Sequence, residues 1–181
     1  MLYRLSKVLV VGIASLFLYA CPTTPKGEYN LLESQFVSEM STIRTKAEGL
    51  AGVAKEKFQG DETKLLEAKV EYIGALSEGR GLVDGVAFEI ISGNKDLTGE
   101  FLEDKVENLK NQVNDLNATV NGDDTSSVNL VVVQKVIDLA VSLVSEIVEF
   151  YDEFGEKAKQ HRIAKAEELE KRLVWKDWDE I

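Results

Sequence analysis

The segment Leu102-Glu103-Asp104-Lys105-Val106-Glu107-Asn108-Leu109-Lys110-Asn111-Gln112-Val113-Asn114-Asp115-Leu116-Asn117-Ala118-Thr119-Val120 carries large apolar residues at 102, 106, 109, 113, 116 and 120. Steps of four and three stack these side chains on one face of a helix. Asn108, Asn111, Asn114, Asn117 and several acids fill the other positions. The pattern predicts a helix over Thr98–Val120 with a narrow, coiled-coil-like seam and a polar back. Such a helix buries one stripe and needs other helices to cover it.

Its neighbours supply them. Asn121-Gly122-Asp123-Asp124-Thr125 is a turn signal, and a helix is expected to start near Ser126 or Ser127. Val128–Phe154 is the most apolar stretch after the first twenty residues, and its apolar positions cover more than one stripe. That predicts a helix buried on most sides. Asp138, Ser142, Ser145, Glu146 and Glu149 interrupt it, so it does not read as membrane-spanning. From Gly155 the character changes. Glu156–Arg172 is charged with both signs mixed, which predicts a solvated helical extension with a thin stripe of Ile163, Ala166, Leu169 and Leu173.

On the N-terminal side, Ser92-Gly93-Asn94-Lys95-Asp96 is a turn cluster. Before it, Glu62–Ile91 reads as a helix with Leu66, Val70, Ile73, Leu76, Val83, Val86 and Ile90 as its stripe. Gly74, Gly79, Gly81 and Gly85 weaken this helix by about 1 kcal/mol each. They predict a kink or break near Gly79-Arg80-Gly81, or else the close approach of a neighbour. A first helix is expected over Leu31–Phe58. Asn30 would be its N-cap, Glu33 would complete a capping box, and Gly60 and Asp61 would end it and cap the next. The fold class is therefore all-α: an antiparallel up-down bundle of about four helices over residues 30–154, with a charged helical extension over 155–181.

Composition narrows the function. The 181 residues hold 21 Lys+Arg against 32 Asp+Glu, a net charge of −11, with one Cys and one His. The acidic balance argues against nucleic acid as a partner. A single Cys forbids an internal disulfide, and one Cys with one His cannot make an ordinary zinc site.

The first residues read as an address. Arg4 and Lys7 precede the apolar run Val8–Ala20, which is shorter than the roughly 20 residues of a spanning helix. A basic start followed by a short apolar run is the pattern of a secretory signal, here residues 1–20. Leu18-Tyr19-Ala20-Cys21 resembles the lipobox of bacterial lipoproteins. Leu18, Ala20 and Cys21 match, while Tyr19 departs from the usual small residue. The resemblance implies a diacylglyceryl thioether on Cys21, cleavage before it, and acylation (palmitate) of the freed amine. Two or more chains anchor stably where one does not. Pro22 stands where an Asp would resemble an inner-membrane retention signal. In a Gram-negative cell that implies the outer membrane, facing the periplasm. Losing Arg4 and Lys7 leaves 19 basic against 32 acidic residues, a mature charge of −13. Such a charge repels anionic headgroups. Residues 21–29, with Pro22, Pro25 and Gly27, read as a lipidated tether that holds the body away from the membrane.

Catalytic patterns are sparse. Paired helical carboxylates Glu67/Glu71 and Glu146/Glu149 arise readily on so acidic a chain, and no Glu-x-x-His accompanies them. Met40 and His161 are the sole axial-ligand types for a haem in the mature chain, and both have plainer readings as core and surface residues. No Gly-x-Ser-x-Gly elbow or phosphate loop occurs. The expectation is a non-enzyme without a catalytic or metal site and without a cofactor beyond the covalent lipid on Cys21. The partner-binding candidates are Arg80, set between glycines, and Trp175, Trp178 and Ile181, spaced to share a helical face. The indoles would either fold back as a lid on the bundle or dock on a partner. The functional expectation is a membrane-anchored cell-envelope lipoprotein. It would act as a helical binding or structural module whose partner is an envelope protein or a second copy. The alternatives are an immunity or phage-exclusion lipoprotein that blocks an incoming protein and, further off, a ligand-binding bundle.

Overall fold

The computed structural model describes residues 26–95, 99–122 and 128–181, with the side chains of 26–28 and 99–101 excluded. The secretory signal, the lipobox and Cys21 lie outside the described residues, as do the expected helix starts at Ser126 and Ser127. Five α-helices are described: α1 (Lys26–Lys57), α2 (Glu62–Ser92), α3 (Gly99–Asn121), α4 (Leu130–Asp152) and α5 (Ala158–Arg172). Short 3-10 turns occupy Gly155–Lys157 and Trp178–Glu180. Among the described residues, no helix is long and apolar enough to cross a membrane.

Local chemistry sets the connections. Gly60, Gly93, Gly122 and Gly155 all take positive φ, the conformation that suits glycine at a turn. Asp61 caps α2 by accepting the Lys64 N–H at 3.1 Å. Gly93 closes α2 in the left-handed conformation, its N–H donating to Glu89 O. Asn129, rather than Ser126 or Ser127, caps α4 by accepting the Val132 N–H at 3.1 Å. The preceding residue is held by a clasp. Asn114 accepts the Val128 N–H at 2.9 Å and donates to Val128 O at 3.0 Å.

These connections reverse the chain at each turn, giving an up-down bundle in which α1 packs on α4 and α2 on α3. All six seam residues of α3 are buried. From α4 the core takes Val133, Val136, Ile137, Ala140, Leu143, Val144, Ile147 and Val148, but Leu130 and Val131 in its first turn are exposed. From α1 come Tyr29, Phe36, Met40, Ile43, Ala47, Ala51 and Ala54.

Four expectations change. α1 includes residues 26–29, which were assigned to a tether, because Tyr29 is a core residue. Asn30 therefore lies inside α1, and Glu33 is buried in ion pairs rather than closing a capping box. α2 runs unbroken through all its glycines. Its buried face is also not the one expected in its first half. Ala68, Tyr72 and Ala75 are inside, while Leu66, Val70 and Ile73 are exposed. Finally, α5 is no solvated extension. It folds back along α2 and touches α4, burying Ala158, Lys165, Ala166 and Leu169.

Candidate functional site

α5 stops at Arg172, and the chain continues in irregular form to Asp177. Every carbonyl exposed by leaving the helix must find a donor or water. Here α1 and α2 supply the donors. Arg44 donates to Val174 O at 2.8 Å, and Arg80 to Trp175 O at 2.9 Å. The Tyr72 hydroxyl donates to Lys176 O at 2.7 Å, and Lys55 to Trp178 O. Glu48 accepts the Lys176 N–H at 3.2 Å. The partners rise along α1 and fall along α2, so residues 173–181 lie lengthwise in the groove between these helices.

Small residues make room in the groove on both walls: Gly79 on α2 lies under Trp175 and Gly52 on α1 under Ile181. Trp175 fills the space and is 1% exposed. A Cβ on Gly79 would sit 2.3 Å from its Cζ2. Trp178, at 8% exposed, packs its ring 5.8 Å from that of Tyr72, and the Lys55 ammonium lies 5.0 Å from the indole centroid. Ile181 is partly buried and lies over Gly52. Burial raises the Tyr72 hydroxyl above its ordinary range, with the Glu48 charge adding to the effect.

The four partner-binding candidates thus meet within the chain itself. The two indoles fold back on the bundle, but into a groove along its side rather than as a lid on its end, and Trp175, Trp178 and Ile181 share no helical face, because tertiary donors draw the backbone out of the helix. Arg80 is not a free recognition residue. Besides Trp175 O it binds Asp177 at 3.1 Å. The groove was not foreseen from the sequence, although the small residues spaced along both helices were its signal.

A second cluster lies at the other end, where α1 begins. Glu33 meets Lys165 at 2.6 Å and Arg172 at 2.7 Å, and Lys165 also meets Glu168 at 3.0 Å. Burial alone would lower the Lys165 ammonium, but its hydrogen bonds to Glu33 and Glu168 carry it above the usual value. Beside this network, Tyr29 packs 5.1 Å from Phe150 and 6.2 Å from Tyr151. His161 stacks on Tyr151, with centroids 5.6 Å apart, and lies 5.0 Å from Phe154.

Residues considered for chemistry are dispersed. Met40 is buried core, about 16 Å along α1 from the Tyr29 end where His161 sits. Glu71 accepts the Thr119 hydroxyl at 2.9 Å, and burial raises its carboxyl, with Glu67 and Asp115 adding like charge. Among the described residues, no group of three or more His, Cys, Asp or Glu is placed to hold a metal ion.

The outer faces are more open. Leu66, Val70 and Ile73 are 61, 61 and 44% exposed on α2. On α4, Leu130 and Val131 border a shallow apolar groove with Val133 and Leu139. Compared with known proteins, the chain matches no family model, no curated sequence and no solved structure.

Proposed function

We propose that this chain is a lipid-anchored cell-envelope protein that works as a non-enzymatic helical binding module. Acylated Cys21 would be its anchor, and an envelope protein its partner. The observation that carries the reading is the outward face of α2. In its first half the helix buries Ala68, Tyr72 and Ala75, while Leu66, Val70 and Ile73 point away from the core at helical spacing. Contiguous apolar surface of this kind marks interaction sites. The partner surface is thus assigned to this outer face, since Trp175 and Trp178 are occupied within the bundle.

A photo-crosslinking amino acid at Val70, compared with one at Glu103 on the exposed back of α3, tests the reading in intact cells. One envelope protein captured at Val70 and not at Glu103 supports it. Self-crosslinks alone would make the face a contact between copies, and no crosslink at either position would reject a binding module. Mass spectrometry of the purified chain tests the anchor separately, through the acyl chains expected on Cys21.

A further inference from the structure

The end of the bundle at which the anchor enters is distinctive. Tyr29 opens the described side chains of α1 there, against Phe150 and Tyr151 at the end of α4. Lys95, just beyond α2, and Arg162, in α5, both pair with Asp152, at 3.0 and 2.7 Å. The start of α1, the end of α2, the end of α4 and the start of α5 therefore converge on one face. Phe88 and Phe154 are exposed near it, at 66 and 45%, and so is Leu31.

We infer that this face lies on the lipid surface, with Phe88 and Phe154 entering the headgroup boundary. The inference rests on the proposed acylation of Cys21. Three observations carry it. The first is reach: Cys21 and Lys26 are five residues apart, a span of at most about 18 Å even when fully extended. Because α1 starts no later than Lys26, the tether is too short to hold the body far from the bilayer. The second is chemistry. Exposed aromatic rings over a tyrosine- and histidine-bearing cluster suit the boundary between hydrocarbon and water. The third is charge. Residues 88–95 and 150–162 together hold four acidic and four basic side chains, whereas the mature chain carries −13. These two segments add no net repulsion from anionic headgroups, and the further exposed acids at this end, Glu103 and Asp104, belong to the start of α3.

The test uses the acylated full chain in vesicles of phosphatidylethanolamine and phosphatidylglycerol doped with headgroup-nitroxide lipid. Thioether formation blocks Cys21, so a fluorophore attaches to one introduced thiol. Lys157→Cys reports the anchor end. Gln59→Cys reports the opposite end, about 40 Å away along α1. Quenching several-fold greater at 157 than at 59 is expected, with Phe88→Ser reducing it at least twofold at 157 while the melting temperature holds. Equal, weak quenching at both sites would overturn the inference. A second variant leaves the folded body untouched: a flexible 20-residue Gly/Ser insert after Pro25. Quenching at 157 that survives the insert supports docking by the face itself, and quenching that vanishes shows a leash alone. Acyl chains found by mass spectrometry without quenching would defeat only this inference, whereas their absence would defeat the anchored reading with it.

Discussion

α2 and α3 lie against each other, yet the glycine-bearing stretch of α2 meets its neighbours by means opposite to those of α3. α3 contributes size: Leu102, Val106, Leu109, Val113, Leu116 and Val120 all point inward. α2 contributes room. At Gly74 a Cβ would sit 2.3 Å from Gln112 Oε1, and at Gly81 3.2 Å from Lys105 Nζ, so α3 lays polar side chains across it. At Gly79 the indole of Trp175 comes in from the other side. The lesson is that a stripe of large residues marks the buried face of a helix covered from one side. Where glycines let neighbours come close, as in the first half of α2, Ala68 and Ala75 face inward with Tyr72 and leave Leu66, Val70 and Ile73 outside, whereas the second half buries Leu82, Val83, Val86 and Ile90 as α3 buries its seam.

Substitutions can break or sharpen that contrast. The largest effect is expected from Trp175→Ala, which empties the groove and costs about 3–5 kcal/mol in urea unfolding. Leu109→Ala in the α3 seam should cost about 3 kcal/mol, while Leu66→Ala, equally apolar but on the outer face of α2, should stay within about 0.5 kcal/mol. Similar losses from both would erase the distinction between the helices.

Gly79→Ala is the most direct test. In an open helix it would stabilise by about 1 kcal/mol. Here it should destabilise by about 1–3 kcal/mol, because the buried ring has nowhere to move. Tyr72→Phe should cost about 1 kcal/mol at pH 7 through the lost bond to Lys176 O. It should also blunt the alkaline response. In the folded chain the hydroxyl keeps its proton above the usual pH of 10, so wild-type stability is complete below about pH 10 and falls as the pH rises beyond it. A stability profile measured from pH 8 to 11 checks this. Gly49→Ala should change stability in the other direction, since a Cβ there meets nothing within 4 Å and the gain is about 0.5–1 kcal/mol.

Much of the fold was legible because it is local. Asp61 and Gly60, Gly93 and the Asn121-Gly122 pair announce their turns through backbone chemistry that needs no distant partner. The α3 seam is likewise a matter of spacing. What escaped depends on residues far apart in the chain. Glu33 looks like a capping acid until Arg172 arrives from 139 positions away. The glycines of α2 look like a break until Trp175 is placed against Gly79. The pairing of Trp175 and Trp178 was visible, but the extended path that delivers both inward was not. That path is set by Arg44, Arg80, Tyr72 and Lys55 on two other helices.

The C-terminal segment also imposes an order of events on the growing chain. Arg44 waits for Val174, 130 residues later, so the wall between α1 and α2 stays open until that segment has been made. Closing so long a loop is slow compared with forming the helices themselves. Until then Gly79 lacks the Trp175 ring that covers it. Residues 174–178 thus act as a latch across α1 and α2, the two helices being joined along their length only once that segment is in place.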